Sequence, residues 1–503
     1  VAVPAAVPAA PPAAPPAAAS RARSAAHATS PPPSTQASLP ASVSLRPYQR
    51  SLLERVDRLF AQQHRRPRAV LAYLPTGGGK TRIAAAALWD ELSRTTSSRG
   101  EAHAMEATAL EHPDAPGAAA RCLFVVNRKS LLEQTERALL ELGFARSSVG
   151  LICGERGRGR PSSAPPLIEV AMVQSMHASY LARCAVDYSL VVLDEAHAAN
   201  AERYQRLLEA LPPSARVLGL TATPFRTAPH ESLKNVFPAV AWGPSVSRLI
   251  QDKLLVRPLV FGPTKPLALL GGGAPAAASE ASRLRGAVDS WRAFGRNERT
   301  VAFCASTASS KALASLFLDA NVSAAHIDAN TSDAQRARLF TELREGSLLV
   351  LCNCDVLSEG FDEPLVGCVI LLRPTESRRV FIQQVGRGLR TAPGKSLCIV
   401  CDEVGATWRH GPITGPIGSD YAWEEADTSS ETGGGRQLVA RCRCRALVHM
   451  SARVCPSCDE IMPRRATAAR KEGGRGVSVA PTSTGSAAGT AAHKEGGRGV
   501  SVA

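Results

Sequence analysis

The sequence predicts an α/β protein of two lobes of similar design, each a parallel sheet covered by helices, with a small cysteine-bearing unit behind them. Three observations carry this expectation. Short apolar runs alternate with helical patterns in two separate series. A Gly-, Ala- and Pro-rich stretch at 262–282 lies between the series and reads as a loop or linker. A chain of 503 residues has room for two to four domains.

Residues 1–44 are almost entirely Ala, Pro and Ser, with Arg21 and Arg23 and no acid before Glu54. Such a segment buries too little apolar surface to fold and reads as a disordered leader. Two readings of it stand. Its Ala, Ser and Arg content without acids fits an organelle transit peptide, whereas its proline density fits a plain low-complexity leader. The first implies a mitochondrial or plastid location, the second a nuclear or cytoplasmic one.

From Leu45 the texture changes. The run AVLAYL (69–74) precedes a Gly-rich turn and the helix-like TRIAAAALWDEL, and a polar stretch at 93–120 reads as a loop. Next come LFVV (123–126) with a helical pattern through Leu142, then IEVAMV (168–173), SLVVLD (189–194) and RVLGLTA (216–222). The second series holds TVAFCA (300–305), a helix to about Ala320, AAHID (324–328), a helix to Arg344, SLLVLC (347–352), GCVILL (367–372) and SLCIVCD (396–402). The expected division is a leader (1–44), lobe 1 (45–245), lobe 2 (246–405), a linker (406–435), a cysteine unit (436–465) and a disordered basic tail (466–503). The tail repeats KEGGRGVSVA at 471–480 and 494–503, too few copies with too little apolar content for a solenoid.

The chain holds 59 Lys and Arg against 44 Asp and Glu, a formal charge of +15, which favours a polyanionic partner. That charge is unevenly placed. Residues 1–53 carry four arginines and no acid, and residues 436–503 carry twelve Lys and Arg against four acids, so the middle is nearly neutral. The ends would add salt-sensitive, sequence-independent attraction to nucleic acid. No stretch approaches 18 strongly apolar residues, so no membrane partner is expected. The 13 cysteines are dispersed and accompany no signal-peptide pattern, which argues against a disulfide scaffold and for a reducing compartment.

Two motifs carry phosphate chemistry. In LPTGGGKT, Leu74 to Thr81, the residues Thr76, Gly77, Gly78 and Gly79 form a turn that phosphates can approach closely. Lys80 can reach the β- and γ-phosphates and Thr81 can ligate Mg²⁺. Leu74 stands where the general pattern has glycine. In VVLDEAH, Val191 to His197, an apolar strand ends in two carboxylates: Asp194 is placed for the Mg²⁺ shell and Glu195 for the attacking water. A third motif is metal-like. Cys442-x-Cys444 and Cys455-Pro-Ser-Cys458 offer four thiolates in two close pairs, with His449 as a substitute ligand. The first pair is one residue shorter than the usual CxxC spacing. Cys398 and Cys401, on opposite faces of an apolar strand, read as core residues.

Beyond these motifs, DEAH followed by LTATP (220–224) resembles the superfamily 2 helicases and translocases. The other pieces follow in that family's order: LRPYQ (45–49), VVNRKSLLEQ (125–134), TVAFCAS (300–306), VLCNCDVLSEGFDEP (350–364) and FIQQVGRGLR (381–390). The resemblance covers about 45–402. It implies two tandem RecA-like lobes with ATP and Mg²⁺ in the cleft between them, and a zinc-ribbon-like C-terminal unit. It implies Arg46, Gln49, Gly360, Asp362 and Gln383 as nucleotide-facing, Arg387 and Arg390 as arginine fingers, and His197, Thr221 and Thr223 as coupling residues. Arg128, Lys129, Gln174 and Ser175 become nucleic-acid candidates, which Arg441, Arg443, Arg445 and Arg453 would extend. The wording LRPYQ, TATPFR, LSEGFDEP and QQVGRGLR looks most like RadD-like DNA repair ATPases, which are related to type III restriction subunits and mitochondrial DNA helicases. That points to DNA, single-stranded or branched. An RNA helicase, a non-catalytic scaffold and a restriction-type translocase stay open beside it.

Overall fold

The apolar runs form strands buried on both faces, as a parallel sheet covered by helices requires. The computed structural model describes residues 44–64, 68–97, 121–154, 166–177, 180–181, 188–224, 233–263, 280–357, 361–415, 439–449 and 452–462. The leader up to residue 43, the tail from 463, and Gly360 lie outside the described residues.

The first lobe comprises α1 (Pro47–Gln62), β1 (Arg68–Tyr73), α2 (Lys80–Ser97), β2 (Arg121–Val126), α3 (Lys129–Glu141), β3 (Val149–Ile152), β4 (Ile168–Met172), β5 (Tyr188–Leu193), α4 (Glu202–Ala210), β6 (Arg216–Thr221) and β7 (Ala239–Trp242). Its seven strands lie in the order β3-β4-β2-β5-β6-β1-β7, all parallel. Sequence order and sheet order differ because each parallel pair needs a crossover. Consequently β5, β6 and β1 are neighbours, and the loops that follow them open at one edge of the sheet. Helix α1 starts on Pro47, whose missing N–H is no loss at that position. It buries Leu52, Leu53, Val56 and Phe60 at helical spacing. Helix α2 reaches Ser97, into the stretch expected to be loop.

The second lobe comprises α5 (Val246–Gln251), β8 (Arg257–Phe261), α6 (Glu280–Phe294), β9 (Thr300–Phe303), α7 (Thr307–Asp319), β10 (Ala324–Ile327), α8 (Asp333–Glu345), β11 (Val350–Asn353), β12 (Cys368–Leu371), α9 (Arg378–Gly386), β13 (Leu397–Asp402) and α10 (Ala406–His410). Side chains of Ser306, Ser332 and Ser377 cap α7, α8 and α9. Cys398 and Cys401 are fully buried and join different core clusters on the two faces of β13.

The cysteine unit departs from a free-standing ribbon. Its hairpin, β14 (Val439–Arg441) and β15 (Ala446–His449), pairs antiparallel with β8 and completes a mixed eight-stranded sheet in the order β10-β11-β9-β12-β13-β8-β15-β14. Cys442, Ala446, Val448 and Cys455 share one buried cluster with Trp291 and Phe317 of lobe 2. The Arg445 guanidinium lies 5.5 Å from the Phe294 ring centre, and Phe294 stacks on Phe261 at 4.0 Å. A unit with almost no core of its own thus borrows one from lobe 2. The start of the expected linker is also ordered: α10 packs Ala406 into the lobe 2 core, together with Ile413. Among the described residues no helix is long and apolar enough to cross a membrane.

Candidate nucleotide site between the lobes

The Gly-rich turn joins β1 to α2, so its backbone N–H groups lead into a helix N-terminus, which favours anions. Leu74, the departure from the phosphate-loop pattern, has a structural reason. It is 1% exposed, its N–H pairs with the Thr221 carbonyl at 2.9 Å, and it packs under the loop as core. Gln49 and Tyr48 brace the turn from α1. The Gln49 Nε2 donates to the Gly78 carbonyl at 3.0 Å and the Tyr48 hydroxyl donates to the same oxygen at 2.7 Å. The other end of the Gln49 amide accepts the Arg46 N–H at 3.0 Å, so Gln49 fastens the loop with both ends. Arg46 itself is exposed.

Gly79 has φ +85°, and a Cβ there would stand 2.4 Å from Gln49 Nε2. Gly79→Ala is therefore expected to distort the cradle. A left-handed alanine costs about 1–2 kcal/mol before the clash is counted, so ATP affinity should fall by about tenfold or more. Titration with a fluorescent ATP analogue measures this.

The carboxylates follow β5. Lys80 Nζ donates to Glu195 Oε1 at 2.7 Å, and Asp194 Oδ1 accepts the Glu195 N–H at 2.9 Å. Glu195 holds φ +48° and ψ +48°, a left-handed conformation that costs a non-glycine residue of order 1 kcal/mol. Strain at a carboxylate that faces a lysine is typical of a functional turn. Burial works against charge on Lys80, but the carboxylates of Glu195 and Asp194 outweigh it and hold its pKa above the ordinary value. Burial alone would also raise Glu195, yet Lys80 and His197 keep it well below the usual carboxylate range. Asp194 goes the other way: burial pushes it up although Lys80 opposes this. A buried carboxylate in that condition is a fitting donor for a divalent cation. Thr81 and Asp194 line one open cleft of about 470 Å³, together with Asp362.

Lobe 2 closes on the loop. A Cβ at Gly386 would lie 3.0 Å from Thr76 Cβ, so the end of α9 touches the loop directly. Arg387 is 8% exposed and donates to the Phe361 carbonyl at 2.6 Å. Arg390 is paired with Asp362. Burial lowers Arg390 to about 10, which leaves it fully charged at neutral pH. Asp362 thus meets an arginine of the same lobe as well as the cleft. Gln383 is 3% exposed and its Nε2 is buried with no acceptor, as is the Thr223 hydroxyl. Such orphaned polar atoms fit a site made for a polar ligand. Thr221 ends β6 and Thr223 lies two residues beyond it, with Thr221 Oγ1 accepting the Thr223 N–H at 3.0 Å.

The nucleic-acid candidates lie at the ends of β2 and β4, on the same edge of the sheet. Gln174 Nε2 donates to the Asn127 carbonyl at 2.8 Å, next to Arg128. Arg128 reaches the Asp355 carbonyl at 3.4 Å and Lys129 reaches Asp333 at 3.4 Å, both in lobe 2. Ser175 is 6% exposed and its Oγ accepts the Gly154 N–H at 2.7 Å, so its hydroxyl is engaged in the fold. The four cysteines predicted together do converge: the Sγ atoms of Cys442, Cys444, Cys455 and Cys458 lie within 4.8 Å of one another.

Comparison with known proteins decides the family. Residues 42–226 match the type III restriction enzyme res subunit family, and residues 286–392 match the helicase conserved C-terminal domain. Both parts of a superfamily 2 helicase are thus matched, one in each lobe. It is 27% identical over 355 residues to a 51.5 kDa protein of a Lactococcus phage, covering 68% of this chain and 69% of that one. It is 27% identical over 238 residues (44% of this chain) to a Saccharomyces cerevisiae protein provisionally named ATP-dependent helicase IRC3. With a Schizosaccharomyces pombe protein provisionally named mitochondrial ATP-dependent helicase irc3, it shares 26% identity over 378 residues, 72% of this chain. The matched parts span only 34% and 57% of those two yeast proteins. Among solved structures, a fragment of an HsdR subunit of a type I restriction enzyme from Vibrio vulnificus shares the fold, with TM-score 0.53 and 19% identity, covering 75% of this chain and 66% of that one. A type ISP restriction-modification enzyme bound to DNA shares it with TM-score 0.51 and 16% identity, over 72% of this chain and 28% of that chain.

Two residues of this helicase site escape a reading by motif alone. Tyr48 sits inside LRPYQ, and its hydroxyl braces the loop. Arg379 precedes FIQQVGRGLR, yet its guanidinium reaches His197 of lobe 1 at 2.7 Å.

Proposed function

We propose that this protein is a nucleic-acid-stimulated ATPase that couples ATP hydrolysis to movement on DNA, in DNA repair or recombination. The observation that carries the reading is the approach of lobe 2 to the phosphate loop: Lys80 pairs with Glu195, Arg387 lies near enough to oppose the Lys80 charge, and a Cβ at Gly77 would stand 3.4 Å from Arg390 Cγ. The loop 76–79 cradles the phosphates and Lys80 faces their charge. Thr81 and Asp194 would hold Mg²⁺, which would supply charge neutralisation at the phosphates. Glu195, kept ionised by its neighbours, orients the attacking water and takes its proton. Water oxygen bonds to the γ-phosphorus as the bond to the bridging oxygen breaks, and ADP leaves. Arg387 and Arg390, which follow α9, face the transferred group only while the lobes are together, so hydrolysis loosens the cleft and the lobes shift along a strand. Arg128, Lys129 and Gln174 offer contacts to the backbone, which carry no sequence preference.

Turnover with single-stranded DNA, duplex, forked junctions and RNA tests the reading. It requires single-stranded or branched DNA to stimulate more than RNA; stimulation by RNA alone turns it into an RNA helicase, and no turnover at all leaves a scaffold.

The cysteine cluster is read as a zinc site. Sγ separations of 3.5 Å (Cys442–Cys458) and 3.6 Å (Cys444–Cys455) fit thiolates at about 2.3 Å from one tetrahedral Zn²⁺, which sets them about 3.8 Å apart. Freshly purified, reduced protein should carry about one zinc per chain by metal analysis. Because β15 pairs with β8, stripping the metal should lower the melting temperature of lobe 2, by about 4–8 °C for a loss of ~2 kcal/mol. A melting curve before and after chelation decides this. An organelle address belongs to the same proposal, supported by the acid-free leader and by a relative named mitochondrial; import of a full-length fluorescent fusion checks it.

A further inference from the structure

The contact between Arg379 and His197 joins the two lobes at the carboxylate that handles water. Arg379 lies in α9 one turn before Gln383, and its Nη1 is 2.7 Å from His197 Nε2. His197 is 2% exposed, in the short 3₁₀ turn that follows Glu195. A guanidinium has donors and no acceptor. The His197 Nε2 must therefore accept, and the ring proton resides on Nδ1. That nitrogen stands 3.3 Å from Glu195 Oε2, while the other Glu195 oxygen accepts from Lys80 Nζ at 2.7 Å. The chain of contacts thus runs from lobe 2 through one tautomer of one imidazole to both oxygens of Glu195.

We propose that Arg379 is a positioning residue that makes Glu195 competent only when the lobes meet. The inference rests on the ATPase reading above. Arg379 acts through His197, which its Nη1 reaches at 2.7 Å. It selects the His197 tautomer that presents an N–H rather than a lone pair to Glu195 Oε2 at 3.3 Å, and so favours the ionised carboxylate in its left-handed turn. When the lobes part, the imidazole loses that partner and the nitrogen facing Glu195 Oε2 is no longer held as a donor. Water activation is thereby tied to closure independently of the arginine fingers.

The experiment measures ATPase kinetics at saturating nucleic acid for the wild type, Arg379→Ala, Arg379→Lys, His197→Ala and the double variant Arg379→Ala/His197→Ala. Arg379→Ala should lower kcat about 10- to 100-fold, the usual cost of removing a group that orients an active-site ligand. The KM for ATP and the binding of a fluorescent ATP analogue should change less than about threefold, which also shows that the variant is folded. Arg379→Lys, which keeps a cationic donor, should recover part of the loss. The double variant should be no slower than His197→Ala alone. Equal fractional losses in both backgrounds, or a rise in KM with kcat unchanged, would overturn the proposal while leaving the ATPase intact. A wild type without turnover, or a Lys80→Ala variant as active as the wild type, would overturn the ATPase reading and this proposal with it.

Discussion

Glu195→Gln is expected to lower ATP turnover by about 10²- to 10⁴-fold, the range for removing a general base, while ATP still binds. The substitution keeps the shape of the side chain and one donor-acceptor end, so the loop and Asp194 stay in place. What it removes is the charge that Lys80 and His197 stabilise, which holds Glu195 ionised far below neutrality. Lys80, freed from its 2.7 Å partner, remains available to phosphate. The variant should therefore bind a fluorescent ATP analogue at least as well as the wild type while turnover collapses. Turnover within threefold of the wild type would remove Glu195 from the water-activating role.

The second large effect belongs to lobe 2. Arg387→Ala and Arg390→Ala should each cost about 10³- to 10⁵-fold in kcat if the residue acts as an arginine finger. Their surroundings distinguish them. Arg387 is buried and braced by the Phe361 carbonyl at 2.6 Å, whereas Arg390 is paired with Asp362. Removing Arg390 leaves the Asp362 carboxylate in the cleft without its partner, so ATP binding should weaken as well as turnover. Removing Arg387 leaves no such charge, so its effect should fall mainly on kcat. Rapid-quench measurements of a single turnover, with nucleotide affinity taken separately, resolve the two patterns.

Much of this was legible in the sequence because the determinants are local. A strand, a glycine turn and Lys80 are contiguous, as are β5 and its two carboxylates, and parallel topology then brings β1, β5 and β6 together. Spacing also announced the four cysteines. What the sequence concealed depends on distant partners. Helix α6 carried a helical signature in Leu284, Ala287, Val288 and Trp291, but Gly286 and the small-residue stretch before it disguised the start. The cysteine hairpin could not reveal that its open edge would pair with β8, because nothing local fixes a sheet partner. Ser175 read as a strand-end hydroxyl, yet Gly154, 21 residues away, claims it. The Leu74 departure weakened the loop motif only until its side chain was seen to belong to the core. Arg379 meets His197 across 182 positions, beyond the reach of any motif.

The central claim is that one cleft, assembled from both lobes, hydrolyses ATP in response to nucleic acid. The most direct measurement is steady-state ATP turnover of the wild type and of Lys80→Ala, each with and without single-stranded DNA. The claim predicts turnover that single-stranded DNA raises severalfold or more in the wild type and that is lost in Lys80→Ala under both conditions. Turnover indifferent to nucleic acid, or surviving without the Lys80 ammonium, would contradict it.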